Sequence, residues 1–245
     1  MFRVDASIQM GAGHVMRCLA LADRLERKGH QCIFLSRSHP GHLNNLITSK
    51  GYRVISTELD EVYDNSECQL DWNAHAHWLG AALHSDAQQT RLVLECERPD
   101  WLVIDHYAID SIWEKIIKPF VGKIMVIDDL VDREHYCDLL LDQTFDRKIS
   151  EYSGMVPKNC KVLTGAKYSL LRDEFSERRA ESLLRRDNGR INNILVSMGG
   201  MDKDNFTSLV LEELKNCQFE DDIVIKVVLG ANAPWLSDVK NIVTD

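Results

Sequence analysis

No apolar run in the sequence approaches the roughly 18 residues that a membrane-crossing helix needs. The start, Met1-Phe2-Arg3-Val4-Asp5, also lacks the apolar stretch of a secretory signal. The expectation is a cytoplasmic protein with no membrane partner. Basic blocks are missing too: only short pairs occur, such as Arg178-Arg179 and Arg185-Arg186, in a chain of formal charge −9. A chain of this sign repels a polyphosphate backbone, which excludes nucleic acid as the expected partner. The seven cysteines, at 18, 32, 68, 96, 137, 160 and 217, contain no Cys-x-x-Cys pair. That scatter suits neither a disulfide framework nor a zinc knuckle, and it reads as small buried hydrophobes in a reducing compartment. Internal repeats, low-complexity segments and a Walker A loop are absent as well.

What is present is alternation. Short apolar runs rich in β-formers alternate with helical patterns, the signature of an α/β fold with a parallel sheet. The runs predict strands at Phe2–Asp5, Cys32–Leu35, Tyr52–Ile55, Trp101–Asp105, Ile124–Asp128 and Leu139–Asp142. Helices are expected at Gly13–Lys28, Gly41–Lys50, Asn73–Leu83 and Ser111–Pro119. In the first of these, Val15, Cys18, Leu19, Ala22 and Leu25 form the buried stripe, and Arg17 faces elsewhere. After Asp142 the pattern loosens, with one apolar run at Lys161–Thr164 and a charged helical segment at Asp173–Arg186. The βα order then restarts with strand Asn193–Ser197, Gly199-Gly200, helix Asp204–Asn216 and strand Ile223–Leu229. The organisation read from this is an N-terminal Rossmann-like domain at 1–145, a connector at 146–189 and the start of a second Rossmann-like domain at 190–245. Two strands do not make a stable doubly wound sheet, so the second domain is expected to be incomplete in this chain.

The stretch Gly11-Ala12-Gly13-His14-Val15-Met16-Arg17-Cys18 carries the most chemistry. Glycines between the first strand and the first helix let a ligand approach the backbone at a helix N-terminus. A dinucleotide fingerprint would need glycine where Met16 stands and an acid where Ser36 stands, so NAD and FAD are not expected. What remains is His14 on the first turn of a helix, where the dipole favours a neutral ring able to accept a proton. Asp105-His106-Tyr107 and Asp128-Asp129 follow predicted strands and can reach the same crevice. Asp105 or Asp128 could orient His14 or a water, and Tyr107 could bond a sugar; the alternative is that these acids cap the helices that follow. His39-x-x-His42 and His75-x-His77 have metal-like spacing without further ligands, and surface histidines are the reading preferred. Asp202-x-Asp204 opens a helix, where an acid is expected as a cap. The Gly199-Gly200 turn could cradle a phosphate on its amides, or be a simple tight turn.

Taken together, these motifs resemble those of the UDP-2,4-diacetamido-2,4,6-trideoxy-β-L-altropyranose hydrolases of pseudaminic acid biosynthesis. The resemblance runs through Arg3-x-Asp5-x-Ser7, Gly11-x-Gly13-His14-x-Met16-Arg17, Asp105-His106-Tyr107, Ile127-Asp128-Asp129-Leu130, Cys137-Asp138-Leu139-Leu140, Tyr168-Ser169-Leu170-Leu171-Arg172 and Met198-Gly199-Gly200-x-Asp202. It implies a two-domain fold of the GT-B glycosyltransferase kind and a UDP-sugar substrate. It also implies His14 as base, with Gly13, Arg17, Asp105, Tyr107, Asp128, Arg172, Gly199 and Gly200 as candidate substrate contacts. The C-terminal domain would hold most of the UDP contacts. UDP leaves readily at neutral pH, so one base activating water suffices, with no metal and no cofactor. A GT-B glycosyltransferase, a UDP-sugar 2-epimerase and an inactive sugar-nucleotide-binding module remain alternatives.

Overall fold

The computed structural model describes residues 1–60, 73–186, 191–219, 223–230 and 233–244. Cys68 and the expected boundary between residues 189 and 190 lie outside them. The chain divides into two units, Met1–Leu171 and Arg172–Asp245.

In the first unit, continuous apolar runs such as Leu102-Val103-Ile104 and Ile124-Met125-Val126-Ile127 suit strands buried on both faces. Seven strands form: β1 (Phe2–Val4), β2 (Ile33–Arg37), β3 (Arg53–Thr57), β4 (Trp101–Asp105), β5 (Lys123–Ile127), β6 (Leu139–Asp142) and β7 (Lys161–Thr164). They lie in the order β3-β2-β1-β4-β5-β6-β7, and every pairing is parallel. This is the Rossmann-like winding, in which the order reverses between β1 and β4. Among the described residues the α-helices between these strands are α1 (Gly13–Glu26), α2 (Asn44–Ser49), α3 (Leu83–Glu97) and α4 (Ser111–Ile117). Two apolar clusters result. One, around Leu94, Ile104, Trp113 and Leu140, packs with α3 and α4; the other, around Val15, Leu19, Phe34 and Ile127, packs with α1.

Three expectations change. The helix expected at Asn73–Leu83 is a 3₁₀ turn at Ala76–Leu79, and the long helix is α3, beginning where the expected one ends. Gly80 separates them with φ +66°, where a Cβ would meet His39 and Leu59 side-chain atoms at 2.6 Å. The buried face of α3 carries Asp86 and Thr90 beside Ala87 and Leu94, so its apolar period is broken. Second, Lys161–Thr164, read as part of a connector, pairs with β6 and forms the sheet edge. Third, the charged segment is two helices, α5 (Asp173–Glu177) and α6 (Arg179–Arg186), which belong to the second unit.

The second unit continues with β8 (Asn193–Val196), α7 (Phe206–Lys215), β9 (Val224–Val227) and α8 (Leu236–Thr244). Its two strands pair in parallel. Gly230 donates to the Gly200 carbonyl at 2.8 Å, so close that a Cβ on Gly230 would lie 2.4 Å from that oxygen. No described helix is long and apolar enough to cross a membrane.

Candidate active site

The site lies where the sheet order reverses, at the carboxyl ends of β1, β4 and β5, the edge at which open α/β sheets bind ligands. After β1 the chain turns tightly. Ser7 Oγ accepts from the amides of Gln9 and Met10, and Gly11, at φ +73°, donates its N–H to the Ser7 carbonyl. The turn delivers Gly13 to the first position of α1 and His14 to the second. Ala12, at the N-cap, offers no side-chain cap, so amides of the first turn have no such partner. Among the described residues a Cβ on Gly13 would meet nothing within 4 Å, which leaves space in front of the helix.

His14 is buried to 7% exposure, and its Nδ1 donates to Asp105 Oδ1 at 2.6 Å. Asp105 ends β4 and is fully buried. It also takes two hydrogen bonds from Arg17, Nε to Oδ2 at 2.6 Å and Nη2 to Oδ1 at 2.7 Å. Burial alone would raise the Asp105 pKa; His14 and Arg17 outweigh it and hold the carboxyl below its usual range. An ionised carboxylate only accepts, so it fixes the proton of a neutral His14 on Nδ1 and leaves the lone pair on Nε2. None of the described residues hydrogen-bonds Nε2. Arg17 lies off the apolar stripe of α1, and its long side chain reaches the end of β4.

Tyr107 completes the group. Its ring meets the imidazole of His14 edge-on with centroids 4.6 Å apart. Its hydroxyl donates to Asp129 Oδ1 at 2.5 Å, and Arg17 Nη1 reaches Asp129 Oδ2 at 3.2 Å. Burial, then the Asp129 hydrogen bond, pushes the phenol pKa up. Of the two acids that could orient His14 or a water, Asp105 bonds the ring and Asp128 bonds other groups. Asp128 is fully buried, with Arg133 Nη2 at 2.7 Å and the amides of Leu130 and Val131 at 3.3 Å. Arg133, which also bonds the Ile109 carbonyl, lies over the Tyr107 ring at 5.9 Å. Cap duty for α4 falls to Asp110, which accepts from Ile112 and Trp113 and so leaves Asp105 to His14.

Sequence reasoning missed an aromatic wall. Trp78 stacks on Tyr107 at 5.9 Å and stands 6.5 Å from His14, and His75 packs on both Trp78 and Tyr107. His75 is thus no free surface histidine, and neither is His39, which is buried with Nε2 3.5 Å from Asp5. The only available signal was the density of rings in Trp72–Trp78, at a segment read as helix. Among the described residues no cluster of three His, Cys, Asp or Glu side chains is placed to hold a metal. A groove of about 600 Å³ opens at the other end of the strands, lined by residues including Phe2, Cys32 and Trp101. It touches none of these groups.

Arg172, Gly199 and Gly200 belong to the second unit. Arg172 precedes α5 and lies over the Phe175 ring at 5.6 Å. Gly199 has φ +87°, in a turn where the Asp202 carboxylate accepts from Phe206 and Thr207. Asp202 is therefore a helix cap, as its position suggested.

The fold is a Rossmann-like α/β sheet whose switch point holds an imidazole oriented by a strand-end carboxylate. The comparisons narrow the class. No family profile matches the chain. It is 30% identical over 241 residues to the UDP-2,4-diacetamido-2,4,6-trideoxy-beta-L-altropyranose hydrolase of Campylobacter jejuni, covering 98% of this chain and 72% of that protein. It is 27% identical over 241 residues to an uncharacterized protein of Methanocaldococcus jannaschii, covering 97% of this chain and 44% of that one. The chain belongs to the family of UDP-2,4-diacetamido-2,4,6-trideoxy-beta-L-altropyranose hydrolases.

Proposed function

We propose that the protein hydrolyses a UDP-linked 2,4-diacetamido-2,4,6-trideoxy sugar, breaking the anomeric C–O bond with inversion, as a step of pseudaminic acid biosynthesis. The single observation that supports this most is the 2.6 Å bond from His14 Nδ1 to Asp105, which leaves Nε2 as a ready base. A water held by Nε2 loses its proton as it attacks the anomeric carbon, and UDP departs from the opposite face. The leaving group is a stable anion, so no general acid is required, and a positioned base contributes on the order of 10²–10⁴ in rate. The scheme calls on no metal ion or cofactor.

In this reading Gly13 and the free amides of α1 give the diphosphate room and hydrogen bonds. Arg17 and Asp129 fix Tyr107, whose ring faces the sugar. Asp128 supports the same loop from below through Arg133 rather than by touching substrate. We assign Arg172, Gly199 and Gly200 to nucleotide contacts within a GT-B-like second domain. A glycosyltransferase would share the base but need an acceptor.

The test is turnover in ¹⁸O water without acceptor. Label in the free sugar, with the anomeric configuration inverted at first appearance, is expected. Label in UDP means attack at phosphorus and overturns the mechanism; turnover only on adding an acceptor sugar or lipid replaces hydrolase with transferase.

A further inference from the structure

Spacing in the sequence keeps the cysteines apart, but the fold brings two of them together. Cys137 lies two residues before β6, and Cys160 immediately precedes β7. Because these strands are parallel neighbours with Leu139 opposite Lys161, both thiols enter the sheet at the same end. Their sulfurs are 3.6 Å apart, although the residues are 23 positions apart in sequence. Cys137 is buried in the cluster around Trp113 and Leu140, whereas Cys160 is half-buried and reachable from solvent. Cys18 and Cys32 differ: they are buried in the other cluster, facing Asp105 and the Ala22 carbonyl.

We propose that Cys137 and Cys160 are a redox modification site, forming a reversible disulfide that fastens the edge strand β7 to β6. The oxidant is a low-molecular-weight disulfide. The Cys160 thiolate attacks one sulfur of that molecule, breaking its S–S bond and releasing one small thiolate. Cys137 then gives up its proton and attacks the Cys160 sulfur of the mixed disulfide, releasing the second small thiolate. Two electrons pass from the cysteines to the oxidant and two protons go to solvent. Small thiols reverse both steps. Closure needs the sulfurs to approach to about 2.05 Å. An edge strand can give that movement, since β7 is hydrogen-bonded to a neighbour on one side only.

The bond would close a loop that includes Tyr152, whose hydroxyl bonds Asp142 and the Asp128 carbonyl, and Met155, whose carbonyl takes the His135 amide. Restricting that loop in the unfolded chain should raise the melting temperature by roughly 5 °C. The inference stands apart from the proposed hydrolase activity.

The experiment treats the whole chain with excess oxidised glutathione, alkylates the remaining thiols and maps the peptides by mass spectrometry. A Cys137–Cys160 linkage two mass units lighter than the dithiol is expected, removed by dithiothreitol and accompanied by the higher melting temperature. Cys160→Ser should lose both effects, and Cys96→Ser should keep them. Recovery of Cys137 alkylated while Cys160 carries glutathione, or of both thiols unmodified when Cys96 has reacted, overturns the proposal.

Discussion

Two clusters of opposite charges lie at the carboxyl ends of neighbouring strands, made from similar residues and left in different states. In the closed one, Arg3 bonds Asp5 and Asp86 at 2.7 Å, and Arg37 Nη2 bonds the same Asp86 oxygen at 2.7 Å. Trp113 Nε1 takes the other Asp86 oxygen, and Asp5 Oδ2 faces the Nε2 atoms of His106 and His39 at 3.2 and 3.5 Å. Arg3, Asp5 and Asp86 are turned on one another and on Arg37, which also bonds Gln89 Oε1 at 2.8 Å, and the group ties α3 and α4 to β1 and β2. In the open cluster Asp105 is as deeply buried as Asp5, yet His14 and Arg17 keep side-chain exposures of 9% and 12%. One cluster ends in packing and the other ends in an imidazole nitrogen with no described partner. A buried carboxylate is structural or functional according to what its cations still have to offer.

Breaking the open side should give the largest effect. If His14 is the base, His14→Gln removes it but not the buried carboxylate, so turnover is expected to fall by about 10²–10⁴ with the melting temperature little changed. Steady-state rates and a thermal melt on the same preparation check both halves. Asp86→Ala breaks the closed side. It takes the shared carboxylate from two buried guanidinium groups, leaving Arg3 only Asp5 and Arg37 no described carboxylate, so stability should drop by about 3–5 kcal/mol in urea titrations, with kcat of the remaining folded protein unchanged.

A third cluster sharpens the contrast because one member titrates in an accessible range. His135 lies between Glu114, 2.7 Å from Nδ1, and Asp128, 3.9 Å from Nε2. Burial alone would lower its pKa, but the carboxylates, Glu114 first, push it up to about 9. A folded value above the unfolded ~6.5 means the stabilisation is fully present below pH 6.5 and disappears as pH rises to about 9. The loss should be on the order of 3 kcal/mol, and His135→Gln should flatten that part of the stability profile. The smallest effect concerns the open space before α1. A Cβ at Gly13 meets no atom of the described residues within 4 Å, so Gly13→Ala should change stability by less than ~1 kcal/mol. If substrate fills that space, KM should rise severalfold; an unchanged KM would place the substrate elsewhere.

The central strands were legible because burial on both faces forces continuous apolar runs, as in Leu102-Val103-Ile104. The edge strand β7 was not: Lys161–Thr164 stood out as an apolar run, but it is only half-buried and lies outside the regular strand–helix alternation, so nothing tied it to the sheet. Helix α3 was hidden by the closed cluster itself, which puts Asp86 on its buried face. At the site, His14 and Asp105 could be read from their places beside strand ends. The choice between Asp128 and Asp129 could not, because β5 stops at Ile127 and strand alternation says nothing beyond it. The partner of Arg17 could not be read either, because a helical wheel places the Cβ and not the guanidinium at the far end of the side chain.

The position of β1 in the middle of the sheet carries a consequence for the order of assembly. Its second neighbour, β4, arrives only after about a hundred positions, as the bond from the Met1 amino group to the Trp101 carbonyl records. The contact between His14 and Asp105 spans 91 positions, so closing it costs about 4 kcal/mol of chain entropy before any attraction is gained. A nascent chain that has emerged only as far as β3 already carries the glycine turn, α1 and His14. It has no carboxylate to choose which imidazole nitrogen holds the proton. Once β4 docks, Asp105 can set the proton on His14 Nδ1, whereas Asp129, which holds the Tyr107 hydroxyl, arrives only with β5.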